Sequence, residues 1–487
     1  MSSRLRWNFI ATALLGILFL LDSCFSENAP YPTFARDATL APAEIFYDYI
    51  IIGGGTAGCA LAATLSQGAN VLVLERGGLP YGNPAINNMD SFAETLANIS
   101  PSSPSQPFIS TDGVSNARAR VLGGGTCLNA GFYTRASTAY VGRVGWDQKL
   151  VNDSYEWVEN KVVFRPPMLE WQSAVRDGLL EVGMLPDNGF TYDHIYGTKV
   201  GGTIFDQDGH RHTAADLLEY ADPTKITVYL NAVVHQIFFG TTAGQAKPKA
   251  EGVAFRDANG KMHRAYLNKG SSMNEIILSA GALGSPQLLM LSGIGPQQHL
   301  MAHGIKVLMD QPMVGQGMAD NPMNAVFIPA PTALAVSLIQ VVGIPQSDSY
   351  YIETASGSFF GSTIPQMFAN QSRHACRFFL WVDPPLCPHA REIIPGLLRR
   401  TTMLKEQLKM HKLLLFQALG MMEIKASGLG TNEDKVANFC PFDTYVVELS
   451  YGPVDVFGSM HVLVLMKHGG GSLMFTPCNA AMKLKLG

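Results

Sequence analysis

Residues 47–58 read YDYIIIGGGTAG, an apolar run typical of a β-strand that leads directly into a glycine-rich turn. A helical pattern rich in alanine and leucine follows from Cys59 to Gln67, and Gly68 stands where a glycine ends many helices. A second apolar run, Val71–Leu74, then ends in Glu75. Strand, G-x-G-x-x-G turn, helix, strand and acidic residue within about 30 residues predict a Rossmann-like unit that binds a dinucleotide.

Each part of this unit has a physical role in holding a nucleotide. Gly53 allows the chain to turn sharply after the strand, and Gly55 lets the backbone approach a pyrophosphate because it has no side chain. Gly58 allows the helix to lie close to the strand. The N–H groups at the start of the helix favour phosphate oxygens, and Glu75 is expected to accept hydrogen bonds from ribose hydroxyls.

The composition is that of a well-packed globular protein. The chain has 487 residues, which is enough for roughly two to three domains. Only 15% of the residues are charged and 47% are hydrophobic, which argues against a disordered chain. The 35 basic and 39 acidic residues give a net charge of −4, and no basic patch dominates, so nucleic-acid binding has little support.

The N-terminus has the pattern of a secretory signal peptide. Two arginines precede an apolar run from Phe9 to Leu21, and the small residues Cys24 and Ser26 stand before a cut at Glu27. A transmembrane anchor is the alternative, but the run has about 13 residues and a spanning helix needs about 20. We therefore predict a signal peptide over residues 1–26, no membrane span and a secreted, extracellular protein.

Sequons and cysteines fit a protein of the secretory pathway. Three Asn-x-Ser sequons are candidate glycan sites: Asn98, Asn152 and Asn370. Six cysteines follow the signal peptide: Cys59, Cys127, Cys376, Cys387, Cys440 and Cys478. An oxidising compartment permits disulfides, but the sequence leaves their pairing open, and no Cys-x-x-Cys or His-x-x-His pair predicts a metal site.

Further segments resemble those of one enzyme family. Residues 118–132 read RARVLGGGTCLNAGF and residues 281–295 read GALGSPQLLMLSGIG. They resemble the two signatures of the glucose–methanol–choline (GMC) oxidoreductases, which are FAD enzymes. Residues 314–322 look like the loop that follows in this family, and residues 211–218 resemble its plant HOTHEAD-like and mandelonitrile lyase-like branch. The resemblance runs from about residue 46 to about residue 371.

The resemblance implies FAD and assigns its contacts residue by residue. Five residues are expected to wrap the pyrophosphate: Gly53, Gly55, Thr56, Ala57 and Gly58. Glu75, with Arg76 beside it, is expected at the adenosine ribose, and Val234 near the adenine. Six residues are expected along the flavin: Val121, Gly125, Asn129, Ala130, Gly131 and Phe132. The 118–132 segment contains no histidine, so we predict non-covalent FAD, and Cys127 is interpreted as a small packing residue.

The same resemblance divides the chain into an α/β, Rossmann-like FAD-binding domain and an α+β substrate domain. Residues 46–145 and 225–325 are expected to form the discontinuous FAD-binding domain, and residues 146–224 and 326–371 the substrate domain. Residues 372–487 carry no recognisable family motif. Within the substrate domain, five residues share one face of a predicted amphipathic helix: Met168, Trp171, Val175, Leu179 and Val182.

Catalysis in the family depends on a histidine base and a histidine or asparagine partner near the C-terminus. Neither motif is found after Gln371, so the catalytic residues of this chain stay unknown. His468, which precedes two glycines, and His461 are retained as candidates for the base. We interpret residues 372–487 as the product of an altered reading frame, a retained intron or an incorrect gene prediction.

The family implies an oxidoreductase that acts on the CH–OH group of an alcohol, with hydride passing to the flavin while a histidine takes the hydroxyl proton. Two alternatives stay open: a hydroxynitrile (mandelonitrile) lyase whose FAD is not redox active, and a catalytically impaired FAD-binding remnant. The expected partner is a small-molecule alcohol or cyanohydrin. The sequence leaves open which substrate binds and which oligomer forms.

Overall fold

The structure is a computed structural model that describes residues 33–109, 115–240, 248–270, 273–317, 323–329, 334–346, 350–357 and 461–468. Residues 323–329 and 461–468 are described through their backbone pairing. The predicted signal peptide, the sequon at Asn370 and the four cysteines from Cys376 onward lie outside the described residues.

Short strands and helices alternate along the described chain. The helices are α1 (Thr56–Leu65), α2 (Pro84–Asn87), α3 (Phe92–Ala97), α4 (Thr138–Arg143), α5 (Gln148–Val162), α6 (Glu170–Glu181), α7 (Gly281–Leu291) and α8 (Gln297–Ala302). None of these described helices combines the length and the hydrophobicity that a bilayer-spanning segment needs. Two 3₁₀ helices are also important for the site, Gly124–Cys127 and Ala214–Tyr220.

The strands are β1 (Ala35–Asp37), β2 (Glu44–Tyr47), β3 (Tyr49–Ile52), β4 (Val71–Leu74), β5 (Ser105–Ile109), β6 (Ser115–Ala119), β7 (Phe132–Tyr133), β8 (Asp187–Phe190), β9 (Gly197–Val200), β10 (Gly202–Thr203), β11 (Ile226–Leu230), β12 (Val233–Gly240), β13 (Lys249–Arg256), β14 (Met262–Leu267), β15 (Glu275–Leu278), β16 (Ile294–Gly295), β17 (Met309–Asp310), β18 (Met323–Pro329), β19 (Val341–Ile344), β20 (Tyr350–Gly357) and β21 (His461–His468).

Five parallel strands form the sheet that carries the predicted nucleotide unit, in the order β1-β11-β4-β3-β15. Alternate residues of β3 enter two different cores, because successive side chains of a strand point to opposite faces. Ile51 packs in a cluster with Ala62 of α1, whereas Ile50 and Ile52 join a cluster with Phe255 of β13. Both faces of the sheet are therefore covered, which explains why β3 and β4 are apolar runs without alternation.

The predicted strand 47–52 is divided in the structure. Tyr47 ends β2, which pairs with β14 in another sheet, and Asp48 separates it from β3. The Asp48 carboxylate accepts a hydrogen bond from the Asn70 N–H at 2.9 Å and so ties the start of β3 to the start of β4.

The helix of the unit also differs from its predicted bounds. α1 begins at Thr56 and ends at Leu65, whereas the sequence pattern predicted a helix from Cys59 to Gln67. The prediction that Gly68 is the glycine that ends the helix is wrong. Ser66 follows the helix in a right-handed helical conformation, and its N–H bonds to the Ala62 carbonyl, so the end of α1 needs no left-handed residue.

Two larger sheets complete the described fold. A four-stranded sheet has the order β12-β13-β14-β2, with β2 parallel to β14. A six-stranded sheet has the order β18-β21-β20-β19-β9-β8 and is antiparallel except for the pair β8–β9. The predicted fold class is confirmed: a Rossmann-like α/β unit accompanies an α+β unit.

α6 covers one face of the six-stranded sheet largely as its amphipathic pattern predicts. Val175 and Leu179 are buried, and the Trp171 indole N–H donates to the Thr354 hydroxyl oxygen of β20 at 2.5 Å. Met168 and Val182 lie outside the helix bounds, and Met168 is exposed.

We expect that a methyl group at position 58 destabilises the nucleotide unit. A Cβ built on Gly58 would lie 2.0 Å from the carbonyl oxygen of Gly53. That oxygen cannot move freely, because the Gly53 N–H is bonded to the Leu74 carbonyl of β4 at 2.9 Å. Gly58→Ala should therefore lower the free energy of unfolding by about 1–3 kcal/mol, the usual effect of overpacking, as measured by chemical denaturation.

Gly68→Ala is the matched control, because no atom lies within 4 Å of a Cβ at position 68. Its midpoint of chemical denaturation should stay near that of the unsubstituted protein. An equal loss of stability in both variants would contradict the close approach of α1 to the turn.

Candidate functional site

The turn between β3 and α1 leaves hydrogen-bond donors available. Gly55 is the N-cap residue of α1 and has no side chain to cap the helix, so the N–H groups of its first turn, at Thr56 and Ala57, face outward from the helix end. The Thr56 hydroxyl oxygen is buried and has no hydrogen-bond partner among the described residues. A buried hydroxyl beside a helix N-terminus is the environment in which a phosphate oxygen binds.

The second glycine-rich segment lies against this turn, backbone to backbone. The Gly123 N–H donates to the carbonyl oxygen of Gly54 at 2.7 Å. A Cβ on Gly124, whose φ is +60°, would lie 2.7 Å from the Cα atom of Gly55. The contact between the two segments therefore requires a residue without a side chain at position 124.

Glu75 is buried, with 5% of its surface exposed, and its carboxylate organises the same turn. Its Oε2 accepts a hydrogen bond from the Gly54 N–H at 2.9 Å, and its Oε1 accepts one from the Gly77 N–H at 2.8 Å. Burial raises the pKa of Glu75, and these two N–H groups oppose that shift. Each carboxylate oxygen keeps a further lone pair, so the arrangement stays compatible with hydrogen bonds from ribose hydroxyls.

Arg76 follows Glu75 in the chain, and Val234 lies near it at the start of β12. The Arg76 guanidinium donates to a side-chain and a backbone oxygen of the β5–β6 hairpin, at 2.6 and 2.7 Å. Burial lowers the pKa of Arg76 to about 10, which keeps it protonated at neutral pH. Val234 follows Ala232, whose N–H donates to the Glu75 carbonyl oxygen at 2.8 Å, so the start of β12 is bonded to the acidic end of β4.

The residues expected along the flavin form one continuous segment from Val121 to Phe132. Gly125 lies within the 3₁₀ helix, and the Asn129 side-chain oxygen accepts a hydrogen bond from the Gly131 N–H at 3.0 Å. Phe132 opens β7 and is 8% exposed. The structure thus brings the first glycine turn and the start of this segment into contact, while its end reaches the six-stranded sheet.

Arg211 was singled out in the sequence only within the family resemblance of residues 211–218, and its role in holding this segment was not predicted. Its Nη1 donates to the carbonyl oxygens of Thr126 and Asn129, at 2.9 and 2.8 Å, and its Nε donates to the Ile86 carbonyl at 3.1 Å. Arg211 is 7% exposed, and burial lowers its pKa to about 10. These partners lie 82 to 125 residues away in sequence, so no local pattern could have predicted the contacts.

A cavity opens between Phe132 and the six-stranded sheet. Its lining residues are Phe132, Thr134, His194, Val342, Ile344, Tyr351 and Glu353. The rings of His194 and Tyr351 meet edge to face, with centroids 5.4 Å apart. Phe132 therefore connects the segment expected along the flavin with a pocket that has apolar, aromatic and ionisable walls.

Lys199 is a buried cation behind this cavity, with 1% of its surface exposed. Its Nζ donates to the Thr134 hydroxyl oxygen at 2.8 Å and to the Asp193 carbonyl oxygen at 2.6 Å. Burial lowers the pKa of Lys199 to about 7, and the charge of Asp193 opposes the shift. β19 pairs Val342 with Lys199 on one side and with Glu353 on the other, so the three residues form a row across the sheet.

Cys59 and Cys127 are buried free thiols near the two glycine segments. Burial raises the pKa of Cys127 to about 12 and also raises that of Cys59. Cys127 packs in a cluster with Ile86, Val121 and Leu128. A thiol that stays protonated in an apolar cluster supports the interpretation of Cys127 as a packing residue.

Asp206, Asp208 and His210 are the described residues whose side chains could share a cation, since their ligand atoms lie within 4.8 Å of one another. Asp208 and His210 are exposed. The Asp206 carboxylate already accepts hydrogen bonds from the backbone N–H groups of both, at 3.0 and 2.9 Å, so its position follows from the turn itself.

The two candidate histidines stand at opposite ends of β21. His461 is paired with Gly357 of β20, and His468 with Tyr350. Glu353 of the cavity lies four residues from Gly357, which corresponds to about 13 Å along the strand. Tyr350, which pairs with His468, is an odd number of residues from Glu353. His468 therefore stands on the sheet face opposite to that of Glu353. The strand register therefore places neither histidine next to Glu353 of the cavity.

Comparison with known proteins adds a family and several relatives. Residues 47–323, more than half of the chain, match the family model described as GMC oxidoreductase. The chain is 56% identical to Protein HOTHEAD of Arabidopsis thaliana over 313 residues, which cover 64% of this chain and 52% of the relative.

Two further relatives carry enzyme names. The chain is 47% identical to an (R)-mandelonitrile lyase-like protein of Arabidopsis thaliana over 375 residues, which cover 75% of this chain and 67% of the relative. It is 42% identical to Sinalpyl alcohol oxidase Nec3 of Nesocodon mauritianus over 359 residues, which cover 73% and 64%. The chain spans about half to two thirds of the length of the curated relatives it matches.

A solved structure has the same fold. Formate oxidase of Aspergillus oryzae superposes on the chain with a TM-score of 0.52 at 19% sequence identity, covering 64% of this chain and 69% of that chain. At this identity the likeness supports the fold alone. That protein carries FAD, which is the cofactor of the GMC oxidoreductases.

The lowered pKa of Lys199 predicts a pH dependence of stability. The folded group releases its proton near pH 7, whereas an unfolded lysine holds it to about pH 10.4. Between these values the unfolded chain binds more protons at this group, so its contribution to stability rises with pH. We expect the apparent Tm to rise from pH 7 to pH 9.5 by more in the unsubstituted protein than in Lys199→Met.

Lys149→Met is the matched control, because Lys149 is exposed on α5 and its one ion pair in the described part of the chain is with Asp153, one turn away. Its pH profile of Tm should follow that of the unsubstituted protein. Parallel profiles in all three proteins would contradict the lowered pKa of Lys199.

Proposed function

Because the chain belongs to the GMC oxidoreductase family, we propose that it is an FAD-dependent oxidoreductase that acts on the CH–OH group of an alcohol. The observation that carries the proposal is the backbone contact of the two glycine segments beside the open N-terminus of α1. The relative named as an alcohol oxidase supports this reaction class.

The residues of the first turn fit the pyrophosphate of FAD. The Thr56 hydroxyl is a buried donor without a partner in the described structure, and a Cβ at position 124 would fill the space between the segments. We assign the pyrophosphate to residues 53–58, the adenosine ribose to Glu75 and the flavin to residues 121–132. The proposed FAD-binding domain is residues 46–145 and 225–325, with residues 146–224 and 326–371 as the substrate domain.

Bound FAD supplies a two-electron acceptor for the hydride of an alcohol. The chain's part is to hold the substrate and to accept the hydroxyl proton, a contribution worth about 10²–10⁴-fold in rate. The proposed substrate domain holds the alcohol, and His461 or His468 is the proposed base. The C-terminal family motifs are missing, so this chain is expected to turn over slowly unless one of these histidines serves.

A hydroxynitrile lyase is the second candidate, since the lyase-like relative is 47% identical over 75% of the chain. A catalytically impaired flavoprotein is the third, because the family motifs end near residue 371. We further propose secretion after removal of residues 1–26 and glycosylation at Asn152, which is exposed on α5.

One anaerobic experiment separates the three candidates. The purified full chain, loaded with FAD, is mixed with a panel of primary alcohols and, separately, with mandelonitrile. Bleaching of flavin absorbance by an alcohol is expected for the oxidoreductase, and cyanide release without bleaching would identify the lyase. Bound flavin with neither response would identify the impaired flavoprotein, and a chain that binds no FAD would refute the proposal.

Translation of the parent transcript tests the origin of residues 372–487. If another reading frame beyond the Gln371 codon restores a His-x-His-Gly-Gly-like segment, the catalytic motifs belong to a related product of the same gene. If no frame restores it, the proposed base has to come from the chain as it stands.

Gly124→Ala is expected to weaken FAD binding at least tenfold. Its methyl group would lie 2.7 Å from Gly55 Cα and force the two segments apart. Gly82→Ala is the matched control, because Gly82 has a similar φ of +68° but no atom within 4 Å of a Cβ. FAD affinity is measured by quenching of flavin fluorescence, and equal affinity of the two variants would contradict the assigned pyrophosphate site.

A further inference from the structure

Arg211 carries a buried positive charge that meets no carboxylate in the contacts of the described residues. Its guanidinium instead donates to four oxygens without formal charge: Ile86 O, Thr126 O, Asn129 O and Asn129 Oδ1, at 3.1, 2.9, 2.8 and 3.2 Å. The Phe205 ring lies 4.4 Å from its Cζ atom and covers one face of the group. Three of these oxygens bond to Nη1 and the Ile86 carbonyl bonds to Nε, so the rigid planar group fixes the distance between the two sets of acceptors.

The carbonyls that Arg211 holds belong to the segment that meets the first glycine turn. Thr126 is in the 3₁₀ helix that begins at Gly124, and the Thr126 hydroxyl donates back to the Gly123 carbonyl at 2.7 Å. Gly123 and Gly124 are the residues in contact with the turn. A shift of the guanidinium would therefore move the contact between the two segments.

The same guanidinium orients the Asn129 side chain. The Asn129 Oδ1 accepts from Arg211 and from the Gly131 N–H, at 3.2 and 3.0 Å, so both lone pairs of this oxygen are used. The Nδ2 group then points away from both donors, and it donates to no other residue in the described part of the chain. The Asn129 side chain thus offers two N–H donors, and the hydrogen bonds to its Oδ1 fix its orientation.

We propose that Arg211 is a positioning residue of the cofactor site, which holds residues 123–131 against the first glycine turn and aims the Asn129 amide N–H groups at the flavin. The proposal rests on the proposed function, since it requires bound FAD. It assigns to Arg211 an indirect effect on the flavin, through Asn129, and no contact with the substrate or the cofactor.

Arg211→Lys tests the positioning role of Arg211, because lysine keeps the charge and loses the planar set of donors. We expect its FAD dissociation constant to rise at least tenfold and the midpoint potential of its bound flavin to shift, with far-UV circular dichroism unchanged. Arg176→Lys is the matched control, since Arg176 lies at the surface of α6 and, among the described residues, its guanidinium bonds only to Asp177 beside it. It should keep the affinity and the potential of the unsubstituted protein.

Asn129→Asp provides a second test that does not depend on the folding of the Arg211 variant. A carboxylate at position 129 can still accept from Arg211 and Gly131, but it has no N–H to donate. We expect normal thermal unfolding without FAD, together with weaker FAD binding and a lower flavin potential.

The outcomes distinguish this inference from the proposed function. A chain that binds no FAD before substitution overturns both. If the unsubstituted chain binds FAD, and either Arg211→Lys or Asn129→Asp leaves both its affinity and its potential unchanged, only the positioning role of Arg211 is refuted. If Arg211→Lys does not fold, the flavin midpoint potential of Asn129→Asp is the remaining test, and an unchanged potential refutes the positioning role of Arg211.

Discussion

The backbone contact between the two glycine segments is the constraint on which the site depends. Gly124 reaches the Cα atom of Gly55 only because it has no side chain, and the Gly123–Gly54 hydrogen bond closes the same contact. At the same place the N-terminus of α1 has no side-chain cap, because its N-cap residue is Gly55. A site made in this way binds through N–H groups and shape, which suits a phosphate more than an apolar ligand.

Two buried ionisable side chains stabilise this contact, one on each glycine segment, and both bond to backbone groups. Glu75 accepts hydrogen bonds from the N–H groups of Gly54 and Gly77, and Arg211 donates to the Thr126 and Asn129 carbonyls. Each of these two side chains thereby provides hydrogen-bond partners for backbone groups of the loops, which would otherwise be buried without partners. Removing either group would leave those loops without their acceptor or donor, which links the geometry of the site to its electrostatics.

The sequence predicted the parts of the site that depend on neighbours close along the chain. The order β3, glycine turn, α1, β4 and Glu75 follows from apolar runs and glycine spacing, and the family signatures led to residues 121–132. The end of α1 was misplaced because Ser66 continues a right-handed turn that Gly68 was expected to break. Arg211 and Lys199 were missed because their burial is a property of the assembled fold: Arg211 bonds to distant segments, and Lys199 bonds to Thr134, 65 residues away, as well as to Asp193 nearby.

The geometry of β21 limits what the two candidate histidines can do together. Residues rise about 3.3 Å along a strand, so the eight residues from His461 to His468 span about 23 Å. They are an odd number of residues apart and stand on opposite faces of the sheet. A base and its partner must both reach the reacting group of one substrate within hydrogen-bond distance. β21 can therefore supply at most one of the two groups, and a catalytically complete site would need the other from elsewhere in the chain.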